Sequence, residues 1–323
     1  MVKGIGNTLA GRRFRASRRG GQARRPVAVL ARTKGVSFVI ARHLTRHAIV
    51  LTAAALSVTT TGAGVHAQGK LDSRYSATLG GVSFGKGAWV IDVRDDQYSA
   101  ALSGATVGLV RIFASGQGNS AARGTVSASG QPVASTYASS IQTEHKYDEV
   151  RMVMNSGTVK EFVAEPPTLP IPERVPLTEA HRRGVTDPMT ASLMRVPGSG
   201  DTFSPEACLR KLAIFDGRMR YDLSLAFKRL EKVKSERGYQ GTVVVCAVYF
   251  SPVAGHVPER PIIKYLVDLR DAEVWLAPIA GTRLMVPYRV SIPTPFGVGV
   301  LQATQFISEP YPQRASANGA RAH

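Results

Sequence analysis

The chain has 323 residues and a formal net charge of +18, with 41 Lys and Arg against 23 Asp and Glu. Taken whole, that excess points to a nucleic-acid partner. Its distribution argues otherwise: twelve basic residues, Lys3 to Arg46, precede Ala67, and the first acid is Asp72. The 256 residues after Ala67 carry 29 basic and 23 acidic side chains, net +6. No nucleic-acid partner is expected from so ordinary a surface, which suits anionic lipid or polysaccharide instead.

The leader is the first element. Arg42, His43, Arg46 and His47 flank the start of the apolar run Ala48–Val58, and Val65-His66-Ala67 stands before Gln68. A basic region, an apolar stretch of about 11 residues and an A-x-A-like site are the parts of a secretory signal, cleaved between Ala67 and Gln68. Residues 1–67 are thus expected to be a basic leader plus signal peptide, and the remainder periplasmic. The first 36 residues admit three readings: an organellar transit peptide, a twin-arginine signal around Ser17-Arg18-Arg19, or a translation start that really lies downstream. The last is preferred. No Cys follows the cleavage site to carry a lipid anchor, and no later apolar run approaches the ~20 residues of a transmembrane helix.

Residues 68–310 are expected to form one β-rich domain. Tyr75–Leu79, Ala88–Val93 and Gln97–Leu102 are short β-like segments separated by Gly80-Gly81 and Arg94-Asp95-Asp96, the spacing of an antiparallel meander. Val107–Phe113 is undecided between helix and strand. Val133–Ile141 and Val150–Asn155 again look extended. Residues 164–205 hold Pro166, Pro167, Pro170, Pro172 and Pro176, so they cannot enter a sheet interior. They read as a long crossover wrapping one side of the sheet, or else as an interdomain linker. Inside it, Asp187-Pro188 can serve as N-cap and first residue of a short helix reaching about Met194. Thr242–Phe250 is apolar on both faces, hence a central covered strand. Leu284–Ile292 alternates cleanly, Pro293–Gly297 turns, and Val298–Phe306 returns. Residues 311–323 look like a disordered tail. The class is all-β or mainly β: an antiparallel meander forming a strongly curved sheet or open half-barrel of β-spiral type, with one Pro-rich crossover and one or two short helices.

Few constellations carry chemistry. In an oxidising compartment Cys208 and Cys246 read as a disulfide, and closing that loop is worth about 4 kcal/mol by chain entropy. Metal-like and C-x-x-C spacings are lacking, and His145, His181 and His323 form no ligand pattern, so neither a metal nor a cofactor is expected. Gly81-Val82-Ser83-Phe84-Gly85 matches G-x-S-x-G but lacks the strand–turn–helix setting of a nucleophile elbow, and reads as a hairpin. Gly116-Gln117-Gly118-Asn119-Ser120-Ala121 mimics a dinucleotide fingerprint without a βαβ unit, and reads as a loop. Asp216-Gly217 marks a hairpin. Asp216 and Asp222 could pose as paired carboxylates with His256 as base, but Arg218 and Arg220 offer them plain salt bridges.

Tyr75–Gly85, Asp187-Pro188-Met189-Thr190, Cys208 with Phe215-Asp216-Gly217-Arg218, and Val245-Cys246 with Ser251–His256 together resemble a bacterial envelope family, domain of unknown function 3108. Trp275-Leu276-Ala277-Pro278 and Pro287-Tyr288 fit the same pattern, over about Leu71 to Ser308. The resemblance implies a periplasmic, β-rich protein with no established activity and no catalytic residues to carry over. By fold analogy it implies a curved sheet similar to lipoprotein carriers and β-spiral envelope-integrity proteins.

Three functions follow as expectations. The first is a non-enzymatic envelope protein that supports envelope integrity by binding envelope proteins, lipid or polysaccharide. The second is a carrier of an apolar ligand, a lipid or acyl chain, lined by Val150, Met152, Met154, Val243, Val245, Leu284 and Val286, residues that would equally fill a core. The third is a hydrolase using Ser83 or the Asp216/Asp222 pair. The oligomeric state is not legible in the sequence.

Overall fold

The computed structural model describes residues 68–108 and 115–312. The leader and most of Val107–Phe113 therefore lie outside the described residues. Seven strands, β1 (Gly69–Leu79), β2 (Val82–Arg94), β3 (Gln97–Thr106), β4 (Gly116–Val126), β5 (Pro132–Thr143), β6 (Tyr147–Asn155) and β7 (Thr158–Glu165), form a continuous antiparallel meander. After the crossover come β8 (Met194–Arg195), β9 (Arg210–Phe215), β10 (Arg220–Lys234), β11 (Arg237–Gly238), β12 (Gln240–Ala254), β13 (Glu273–Pro278), β14 (Leu284–Thr294) and β15 (Gly297–Pro310). The two runs join where β15 pairs with β1, giving one sheet in the order β7-β6-β5-β4-β3-β2-β1-β15-β14-β13-β12-β10-β9. Among the described residues there are two α-helices, α1 (Pro188–Ala191) and α2 (Pro261–Asp268). The fold is mainly β, as the sequence predicts.

β-Bulges curl this sheet. Register shifts occur at Ala77/Thr78, Arg123/Gly124, Val153/Met154 and Trp275/Leu276, and each extra residue bends its strand and adds right-handed twist. Edge strands β7 and β9 never pair with each other, so the sheet stays open. The crossover spans the gap: Val185 N donates to Gly157 O and Thr186 N to Ala213 O, both at 2.9 Å. A backbone strap thus stitches the two edges where a barrel would close by direct pairing. The segment runs between strands of one sheet.

Alternating residues fill the concave side. Leu71 and Tyr75 of β1, Ile91 and Val93 of β2, and Tyr137, Met152 and Phe306 face one core with the period of two that pleated strands impose. A second, smaller core lies behind β12–β14, where Met194 and Val196 from the crossover and Ala207 and Cys208 just after it cover Val244, Cys246, Leu276 and Met285. β12 is therefore buried on both faces, as its apolar run predicts. Cys208 and Cys246 are joined in a disulfide inside this second core.

Three expectations need correction. Gly116–Ala121 is not a loop; it opens β4, because β3 and β5 supply a ladder on both sides. The helix after Asp187 stops at Ala191, since Met194 and Arg195 extend to pair with β14. Tyr311, expected in a disordered tail, packs on β2: its Oη donates to Asp92 Oδ2 at 2.8 Å, and Arg94 lies 4.3 Å above its ring. Residues 313–323 lie outside the described residues.

Candidate ligand groove

Register sets the inner-face residues of β2–β5 in rows across the sheet, many of them glycine, serine or threonine. One row is Trp89, Leu102, Ser120 and Ser139; the next is Gly87, Gly104, Gly118 and Ile141. The last before the hairpin turns holds Gly85, Thr106, Gly116 and Thr143. Three glycines in one row leave no side chains where the strands below carry Ile91, Val93 and Tyr98. The result is a groove of about 700 Å³, well inside the range of roughly 300–1,000 Å³ for small-molecule sites.

Tyr75, Trp89 and Tyr137 form the aromatic end of the groove, joined by Pro188 and Met189 of α1. Tyr75 Oη donates to Pro287 O at 2.7 Å, which fixes its ring against β14. Asp187 holds α1 in place: its Oδ1 accepts from Met189 N and Thr190 N, both at 2.9 Å, and its Oδ2 from Thr190 Oγ1. Tyr98 Oη then donates to Thr190 Oγ1 at 2.5 Å. Pro at the first helical position and Asp before it are the reason four residues form a turn of helix here. α1 thereby plugs the curled sheet from one end and, among the described residues, leaves the other end hollow.

The groove is electrically quiet. Burial pushes the Tyr75 and Tyr137 phenols up, so they stay neutral. Ser120 Oγ donates to Ser139 Oγ at 2.9 Å. Trp89 is 6% exposed, and its Nε1 has no hydrogen-bond partner among the described residues. A buried N–H without a partner costs free energy, so one donor is left over beside an apolar cavity. Lys86 contributes to the wall and, among the described residues, makes no ion pair.

The seven lining candidates are placed elsewhere. Val150, Met152, Met154, Val243, Val245, Leu284 and Val286 are all buried in the packed concave core, and none lines this groove. The residues that do line it were missed. Their signal was in the sequence as Gly85-x-Gly87 and Gly116-x-Gly118, glycines at the period of a strand face.

The other candidates have their own partners. Ser83 lies in β2, directly after a hairpin turn made by Gly80 and Gly81 at φ 54° and 86°, with no helix following. Asp216 Oδ1 accepts from Arg218 N and Met219 N at 2.8 and 2.7 Å, shaping the β9–β10 turn. Asp222 pairs with Lys211 and Arg220 at 2.8 and 2.6 Å. His256 is buried, and its O accepts from Val175 N. Among the described residues no three His, Cys, Asp or Glu stand together as a metal site, and no helix is long and apolar enough to cross a membrane.

A curled, open antiparallel sheet around a mainly apolar groove defines a mainly-β protein. Within that class the chain belongs to the family described as protein of unknown function DUF3108, which matches residues 74–304. Among solved structures it is similar to a β-barrel-like protein of domain of unknown function DUF1849 from Brucella abortus. The TM-score is 0.39 at 8% identity, over 76% of this chain and 98% of that one. No curated protein matches.

Proposed function

We propose that this protein works in the periplasm, exported by its signal segment, as a non-catalytic binder of an apolar chain such as the acyl chain of an envelope lipid. The observation that carries the reading is the groove itself, a hollow of about 700 Å³ kept open by the row Gly87–Gly104–Gly118. Interiors close-pack wherever side chains permit; here glycines withhold them on three successive strands. Aromatic walls and a mainly apolar lining, with Lys86 its one charged side chain among the described residues, favour a hydrocarbon chain. The basic leader and apolar run before Gln68 support export, and the buried disulfide suits an oxidising compartment.

Filling the groove tests this. The Cβ of a side chain at Gly104 would meet only Lys86 O, at 3.5 Å, so Gly104→Leu is accommodated at the backbone and occupies the cavity. Wild type is expected to take up a fluorescent fatty acid and to carry lipid in native mass spectrometry, and Gly104→Leu to do neither. Equal uptake by both proteins would sink the reading.

A further inference from the structure

Two of the hairpin turns at the open end of the groove, β1–β2 and β14–β15, are apolar where turns are ordinarily polar. Leu79 and Val82 flank the β1–β2 turn, and Phe296 and Val298 flank the β14–β15 turn. Phe296 is 84% exposed and Val82 62%. The two tips lie side by side: Gly80 N donates to Val298 O at 3.0 Å, and a Cβ on Gly297 would stand 2.9 Å from Gly80 Cα. α2 abuts the same hairpin, its Tyr265 Oη donating to Pro293 O at 2.8 Å, and presents Ile262 at 59% exposure.

From these contacts we infer that the paired hairpin tips and α2 form a docking surface for an anionic lipid bilayer, setting the groove mouth against the membrane. This rests on the groove's role as an acyl-chain site and names the surface from which that chain would come. Two observations select lipid. The apolar tips are continuous with the groove, whose outermost lining includes Ala77, Phe84 and Leu301 beside those tips. Charge is complementary: Arg260 next to Ile262, and Lys86 farther along β2 opposite Ser76, are exposed and, among the described residues, unpaired with any acid. The chain after Ala67 is net +6. Exposed apolar groups beside basic residues are the pattern by which peripheral proteins enter the headgroup boundary.

Flotation with vesicles of phosphatidylglycerol and phosphatidylcholine tests it, using the protein from Gln68 onward, the form left once the signal segment is cleaved. Wild type is expected to float with these vesicles and far less with phosphatidylcholine alone. Val82→Asp with Phe296→Asp should lower partitioning on the order of 100-fold, since two side chains no longer leave water. Lys86→Gln and Arg260→Gln should each lower it about 5-fold. Val82→Ser with Phe296→Ser is the milder pair, used if the aspartates disturb folding by thermal melt. The groove is read separately: the tip variants should still take up free fatty acid from solution, whereas Gly104→Leu should float like wild type without taking it up. Wild type that stays unfloated, tip variants that float undiminished, or tips that mediate self-association without lipid binding would overturn the inference.

Discussion

Phe162 and Phe215 meet edge to face, ring centroids 5.6 Å apart and planes at 89°, although they belong to β7 and β9, the two ends of the sheet. The contact shows how far the sheet curls, and it seals the seam that no backbone ladder closes. Phe215 is fully buried. Phe215→Ala should cost about 3–5 kcal/mol in urea unfolding. A double-mutant cycle with Phe162→Ala should leave a coupling of about 0.5–1.5 kcal/mol for the aromatic pair. A coupling near zero would mean that the rings merely fill space.

Arg218 works on the same seam. From the β9–β10 turn its guanidinium reaches Asp148 of β6 at 3.2 Å, Pro166 O at 3.1 Å and Thr168 Oγ1 at 3.0 Å. Arg218→Met keeps most of the stem and removes the fork. With the pair partly exposed, the expected loss is about 1–2 kcal/mol. The crossover should also become more sensitive to protease near Thr168, read by mass spectrometry of the first fragments. Unchanged cleavage would show that the strap at Val185 and Thr186 holds the seam alone.

Reduction of Cys208–Cys246 tests the second core. The bridge closes a separation of 38 residues, and chain entropy assigns it about 4 kcal/mol. Both sulfurs are buried, so dithiothreitol should act slowly on the native protein and quickly once urea opens it. Cys208→Ala with Cys246→Ala should lower the urea midpoint by a comparable free energy. If the double variant melts like wild type, the crossover holds to β12 by packing alone.

The sequence speaks most clearly where one face of a strand is apolar. Leu284–Ile292 and Val150–Met154 alternate, and both are strands. Asp187-Pro188 states its own cap, and the cap is there. β4 was illegible because Gly116-Gln117-Gly118-Asn119-Ser120 has no apolar face; its ladder partners β3 and β5 decide its state, and they are remote in sequence. The groove was illegible for a related reason. Sequence reading looks for apolar residues as lining, yet Met152 and Val245 fill the core, and the hollow is defined by the side chains that Gly87, Gly104 and Gly118 lack. Only the register between β2, β3 and β4 brings those three glycines into one row.

Asp187 gives the structure a pH signature. Burial pushes its carboxyl above the ordinary range, against the opposing pull of the donors from Thr190 and Met189. A folded-state pKa above the unfolded value, about 3.9, means that the native protein binds more protons across that interval. Stability then falls as pH rises from the unfolded pKa through the raised folded one. Asp216 is shifted the same way by burial, whereas Asp222 and Glu273 are shifted down by Lys211, Arg220, Arg229 and Lys228, so their contributions are lost as pH falls. The wild-type curve therefore mixes both signs, and the informative quantity is the difference from Asp187→Asn. That substitution keeps an acceptor for the Met189 and Thr190 amides and puts a donor where the protonated acid would have one. Relative to wild type it should be most favourable at neutral pH, and the gap should shrink as pH falls toward 4 in paired urea melts. A gap independent of pH would show that Asp187 carries the same charge in the folded and unfolded chain.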